Sequence, residues 1–146
     1  MRFGGPLPKQ LLSLSGRTIL QRSVDAFAQH DRIGDIVVAL PRELAEAPPD
    51  YLRACAKPIA LVEGGERRQD SVARALSHVP ANTDVVVIHD AARPLVSGAL
   101  ITRTVDAAIA YGAAIAALPA TDTVKRGDRN RIIVGTIPRS DSLFCR

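Results

Sequence analysis

From Thr18 to His30 the apolar residues Ile19, Leu20, Val24 and Phe27 recur at helical spacing with polar positions between them. Asp35-Ile36-Val37-Val38-Ala39-Leu40 then runs apolar without alternation and stops at Pro41, the pattern of a buried strand. Pro48-Pro49 interrupts the next helical stretch, which resumes over Asp50 to Ala56. Ile59 to Val62 predicts a second strand. It leads through Gly64-Gly65 into a helix whose apolar positions are Val72, Ala75, Leu76 and Val79. Val85 to Ile88 predicts a third strand, Ser97 to Tyr111 a helix capped by Gly112, and Ala113 to Leu118 a strand closed by Pro119. Apolar strands alternating with helices indicate an α/β fold: a Rossmann-like parallel sheet covered by helices on both faces.

The last third breaks that rhythm. Thr121 to Lys125 and Arg131 to Gly135 flank the turn cluster Gly127-Asp128-Arg129-Asn130, which predicts a β-hairpin. It carries too few apolar residues for a core of its own, so it is expected to project and pack on something else. The opening ten residues, MRFGGPLPKQ, predict a loop.

At 146 residues the chain has the size of one domain. Aromatics are only 3%, so Ala, Val, Leu and Ile must build the core, and the stacking platforms that single-stranded nucleic acid needs are scarce. The net charge of +4 comes without a basic run, which argues against nucleic acid and suits a small phosphorylated substrate. No apolar run is long enough to span a bilayer; no membrane partner and a cytoplasmic location are expected. Cys55 and Cys145 lack metal-ligand spacing and read as reduced thiols.

Ligands of open parallel sheets bind beyond the carboxyl ends of strands, and Asp90 and Arg93 fall at such an end. Ala91 and Ala92 permit close approach to the backbone, and Arg93 offers a planar fork for phosphate. An Asp that caps the next helix and an Arg that pairs with it account for the spacing equally well. Gly64-Gly65 followed by Ser71 makes a donor-rich turn at a helix start, suited to an anion or to the polar edge of a nucleotide. A flexible turn ahead of a solvated first helical turn is the plainer alternative. Arg2 and Lys9 sit on a loop where they could clamp a polyphosphate or be ordinary surface charges. Lys125 and Arg126 fit edge-strand protection. His89 has no Ser or Cys partner in view and reads as packing at the strand end. No residue cluster predicts a protein-held metal.

Four segments in order, RFGGPLPKQLLSLSGRTIL, GGERRQDSVARAL, VVVIHDAARPLV and ATDTVK followed by TIPRSDSLF, resemble the 2-C-methyl-D-erythritol 4-phosphate cytidylyltransferase family over essentially the whole chain. The set is specific, although no single piece is. The resemblance implies a Rossmann-like nucleotidyltransferase of the non-mevalonate isoprenoid pathway, a homodimer that uses CTP and Mg²⁺. Matched by position, Arg2 and Lys9 become transition-state cations. Gly64, Gly65 and Ser71 become readers of cytosine and ribose. Asp90 and Ala91 become ribose and substrate contacts, and Arg93 a substrate-side group. Thr123 and Arg139 become residues of an arm reaching the methylerythritol phosphate in the partner's site. The hairpin, about 119–142, is then the dimer arm, and Mg²⁺ is carried mainly by the CTP phosphates. A ribitol-5-phosphate or other polyol-phosphate cytidylyltransferase, or a non-catalytic remnant, are the alternatives.

Against the family's pattern, the apolar first strand and most of the Ala-Ala-Gly-x-Gly phosphate loop before Arg2 are missing. A Thr-Pro-Gln segment and a late lysine are missing after Arg146. The expectation is a single domain, 1–146, incomplete at both termini. Unpaired buried backbone groups cost about 1–3 kcal/mol each, so the isolated chain is expected to aggregate or fold poorly and to be inactive.

Overall fold

The computed structural model describes residues 8–145. They divide into two compact units, the first running through Val105 and the second from Asp106.

The first unit opens with a 3-10 turn, Lys9–Leu11, that packs on helix α1. The two-residue strands β1 (Ser13–Leu14) and β2 (Arg17–Thr18) then pair antiparallel. Ser15 (φ 49°) and Gly16 (φ 78°) both take the left-handed conformation that such a two-residue turn requires. Helix α1, Ile19–Ala28, begins where the Thr18 hydroxyl accepts the Gln21 N–H at 3.0 Å. Its apolar stripe supplies Leu20 and Val24 to the core. The expected strands form as β3 (Ile36–Leu40) and β4 (Ile59–Glu63), parallel and in register from Ile36 opposite Ile59 to Leu40 opposite Glu63. Short helices α2 (Arg42–Glu46) and α3 (Asp50–Arg53) lie between them, each starting after a proline that cannot donate an N–H. α3 stops at Arg53, short of the expected Ala56.

Leu20, Val24, Val38, Leu40 and Leu52 form one buried cluster, with Ile36, Tyr51, Leu61 and Ala91 packed against it. The core is aliphatic, as the scarcity of aromatics requires. Helix α4 (Arg68–Leu76) follows β4, and α5 (Gly98–Tyr111) ends where Gly112, at φ 82°, donates its N–H to the Ala108 carbonyl. The boundary between the two units falls within α5.

Two expected strands differ from expectation. Val85 to Ile88 forms no ladder with any described residue. Its burial nevertheless alternates, with Val85 and Val87 half-buried while Val86 and Ile88 are 46% and 55% exposed. Apolar composition makes a segment ready to pair, but only an aligned neighbour makes it a strand. Ala113 to Leu118 is reduced to β5, Ala117–Pro119, which pairs antiparallel with β8 (Leu143–Cys145). The parallel sheet among the described residues is therefore the β3–β4 pair, accompanied by three antiparallel pairs.

In the second unit, β6 (Val124–Gly127) and β7 (Ile133–Ile137) form the expected antiparallel hairpin, with a register shift at Arg126/Gly127. One Asp128 carboxylate oxygen accepts the Asn130 and Ile132 N–H groups at 2.9 and 2.8 Å, which closes the turn. Ile132, Ile133 and Val134 are all exposed.

Candidate functional site: two turns on one aliphatic core

The Gly64–Gly65 turn leaves the carboxyl end of β4 and enters α4. The Gly64 N–H donates to the Leu40 carbonyl at 2.7 Å, which extends the β3–β4 ladder by one bond. The Gly65 N–H donates to Ser71 Oγ at 3.0 Å. Space at Gly64 is tight, and at Gly65 only a glycine fits without the helix start moving. A Cβ on Gly64 would lie 3.0 Å from Ser71 Oγ, and one on Gly65 would lie 2.3 Å from the Asp70 Cβ. The predicted trio Gly64, Gly65 and Ser71 is thus a single hydrogen-bonded turn.

Asp70 completes it. Its carboxylate accepts the Arg67 N–H at 3.2 Å and takes the Arg67 guanidinium through both oxygens, at 3.0 and 2.9 Å. The side-chain hydrogen bond from Arg67 holds the Asp70 carboxyl below its usual range.

The second turn is Asp90 to Arg93. The Arg93 N–H donates to the Asp90 carbonyl at 2.9 Å, and Asp90 Oδ1 accepts the Ala92 N–H at 3.2 Å. The Arg93 guanidinium stands 3.7 Å from the Asp90 carboxylate, so the pairing left open by the spacing does form, loosely and in solvent. Both side chains stay about half exposed. His89 Nε2 bonds the Arg93 carbonyl at 3.0 Å, and its ring lies 4.9 Å from that of Phe27, tilted by 53°. Burial pushes the His89 imidazole below its ordinary value, outweighing the upward pull of that carbonyl and of Asp90. The packing role expected for His89 is the one it has.

Sequence reasoning missed Ser23. It sits 3% exposed on α1, its hydroxyl 2.9 Å from the Ala91 carbonyl and 3.1 Å from that of Ile19. It fixes the second turn to the core. The available signal was a serine on the apolar stripe of an otherwise aliphatic helix, which calls for a non-local partner.

Both turns rest on the same cluster: Gly64 bonds Leu40, and Ala91 packs against the group that contains Leu40. Lys9 is exposed on the 3-10 turn against α1, also in the first unit. Arg2 lies outside the described residues. In the second unit, Arg139 Nη2 donates to Thr123 Oγ1 at 3.2 Å, so these two residues meet across the base of the hairpin. A separate cavity of about 260 Å³, lined by Gln21, Asp25, Gln29, Tyr51 and Cys55 among others, contains none of these residues. Among the described residues no group of three or more His, Cys, Asp or Glu is disposed to hold a metal.

The family model for IspD, 2-C-methyl-D-erythritol 4-phosphate cytidylyltransferase, matches residues 1–144. A bifunctional enzyme IspD/IspF from Desulfotalea psychrophila is 43% identical over 133 residues, covering 90% of this chain and 34% of that protein. A 2-C-methyl-D-erythritol 4-phosphate cytidylyltransferase from Prochlorococcus marinus is 42% identical over 141 residues, covering 96% of this chain and 62% of the relative. The crystal structure of 2-C-methyl-D-erythritol 4-phosphate cytidylyltransferase from Thermus thermophilus superposes with a TM-score of 0.74 at 34% identity, over 95% of this chain and 62% of the other. The chain therefore spans only part of the length of these relatives. With a family match across nearly all of its residues and the fold of a solved member 34% identical to it, the chain belongs to the 2-C-methyl-D-erythritol 4-phosphate cytidylyltransferase family.

Proposed function

We propose that the protein carrying this chain transfers CMP from CTP to 2-C-methyl-D-erythritol 4-phosphate. An oxygen of the acceptor's phosphate attacks the α-phosphorus of CTP in line. The bond from that phosphorus to the oxygen bridging to the β-phosphate breaks, and pyrophosphate leaves with the bonding pair. The products are 4-diphosphocytidyl-2-C-methyl-D-erythritol and pyrophosphate, an early step of non-mevalonate isoprenoid synthesis.

Gly64, Gly65 and Ser71 read the cytidine. A pyrimidine edge is told apart by a few directed hydrogen bonds, and a turn already held by its own backbone offers them at little ordering cost. Asp90 and Ala91 meet the ribose and the acceptor, and Arg93 meets the acceptor's side. Lys9, with Arg2, neutralises charge building on the α-phosphate and the leaving pyrophosphate. Thr123 and Arg139 grip the methylerythritol phosphate across a homodimer whose arm is the β6–β7 hairpin. Exposed Ile132, Ile133 and Val134 on that hairpin support an arm that a second copy covers.

Mg²⁺ fits as an ion carried by the triphosphate. Among the described residues Asp90 stands at its turn without a group of three or more His, Cys, Asp or Glu disposed to hold a metal, which suits an ion that keeps most of its ligands on phosphate and water. When bound, it supplies charge screening on the phosphates. No described helix is long and apolar enough to cross a membrane, which accords with work in the cytoplasm.

The observation that carries this reading is the pair of preformed turns, Gly64–Ser71 and Asp90–Arg93, on one core. Pyrophosphate release from CTP, measured with methylerythritol phosphate and with ribitol 5-phosphate in parallel, tests it. Release with the first alone is expected. Preference for ribitol 5-phosphate would change the acceptor, and CTP binding without release would make the protein a binding module.

A further inference from the structure

We infer that Arg74 is a positioning residue for base recognition, the clamp that sets the acceptor side of the Gly64–Gly65 turn as Ser71 sets its donor side. This rests on the cytidine-reading role proposed above for that turn. Arg74 stands three residues after Ser71 on α4, so the two side chains leave the same face of the helix. Its Nη1 donates to the Gly64 carbonyl at 2.9 Å and reaches the Glu63 carbonyl at 3.3 Å. The Glu63 carboxylate lies 3.7 Å from the same nitrogen.

The N–H groups of the two glycines are already committed, Gly64 to Leu40 and Gly65 to Ser71. The carbonyls that Arg74 reaches, those of Glu63 and Gly64, belong to the same two rigid peptide planes as those N–H groups, so Arg74 holds each plane from its other end. A Gly-Gly pair has the widest backbone freedom of any dipeptide, and a peptide plane held at one end by a single hydrogen bond can still rock about it. Reading a pyrimidine edge needs the opposite, dipoles held in place before the base arrives. Arg74 supplies that restraint with one guanidinium nitrogen on two successive carbonyls. A surface ion pair with Glu63 alone would do little, because both side chains are about half exposed. The two sources of effect are separable, since only the clamp acts on the Glu63–Gly64 and Gly64–Gly65 peptides.

The experiment uses the ¹⁵N-labelled protein carrying this chain, with Arg74→Ala and Arg74→Lys variants. Gly64 and Gly65 amide resonances are followed without ligand, and then CTP and inorganic pyrophosphate are titrated separately. Arg74→Ala is expected to move both glycine resonances, weaken CTP about tenfold, the size of one charge-assisted hydrogen bond, and leave pyrophosphate within about twofold. Arg74→Lys, which keeps a donor of similar reach, should recover most of the CTP affinity. Unmoved glycine amides, or equal losses for CTP and pyrophosphate, would overturn the clamp. A wild-type protein that binds no CTP would remove the base-reading role along with the cytidine reading itself. The glycine shifts in Arg74→Ala would then still report whether Arg74 holds the turn.

Discussion

Ser23 shows how much one buried hydroxyl can decide. Its bond to the Ala91 carbonyl ties the Asp90–Arg93 turn to helix α1, and it is buried to 3% exposure. Ser23→Ala would leave that carbonyl without its partner, at a cost of about 1–3 kcal/mol in urea unfolding; a loss near zero would mean that the turn is held elsewhere. Gly65→Ala is expected to be worse tolerated than Gly64→Ala, because its methyl would fall 2.3 Å from the Asp70 Cβ, where the helix start must give way. Thermal melts of the two variants rank them.

His89 gives the pH dependence. Its folded value lies below its ordinary 6.5, chiefly through burial, so the unfolded chain takes up the proton first as the solution is acidified. The stability it contributes is therefore complete above pH 6.5 and is lost as pH falls through the lower folded value. Asp90 and Arg93 are the charged groups acting on it, and they pull in opposite directions. Melting midpoints from pH 7.5 down to about 5 should fall more for the wild type than for His89→Gln. Parallel curves would assign the acid sensitivity to other groups.

Among the elements, those that carry their own signal were legible. The spacing of Ile19, Leu20, Val24 and Phe27 marks α1 to within two residues at each end, because a helix closes its hydrogen bonds locally. Gly112 marks the end of α5 for the same reason. Strands depend on distant neighbours: Ile36–Leu40 and Ile59–Glu63 find each other, whereas Val85 to Ile88, of the same composition, has no ladder among the described residues. β1 and β2 were missed although Ser15-Gly16 is a turn signal, because two-residue strands leave no periodicity to read.

The candidate site divides along the same line. That Gly64, Gly65 and Ser71 share one strand-to-helix turn was readable; that the Gly65 N–H bonds Ser71 Oγ was not. Ser23 on Ala91 and Arg74 on two carbonyls are decided by packing and were not. At this scale the hairpin turn offers a test. Asp128→Ala removes the acceptor for two N–H groups and should broaden or shift the Asn130 and Ile132 amides while β3 and β4 stay unmoved. Equal disturbance of both units would show that the hairpin is not independent.

For the whole molecule, an α/β fold with an aliphatic core was readable from alternation and composition, and the likeness to solved family members bears it out. The division at Asp106 was not, because a boundary inside a continuous helix leaves no break in the pattern. The proposed arm makes a prediction about assembly. Ile133→Lys places a charge in the exposed apolar run of β7 and should shift sedimentation from dimer to monomer. An unchanged dimer would move the interface off the hairpin.

The central proposal is that Lys9 and the preformed turns of one copy, with Thr123 and Arg139 of a second copy, meet a cytidine triphosphate and a sugar phosphate. Its most direct test is pyrophosphate release from CTP and methylerythritol phosphate by the protein carrying this chain, compared with its Lys9→Ala and Arg139→Ala variants. The account predicts a fall in kcat of about 100-fold or more for Lys9→Ala, the size of one lost transition-state contact, and for Arg139→Ala a rise in KM confined to the sugar phosphate. Turnover unchanged in both variants would contradict it.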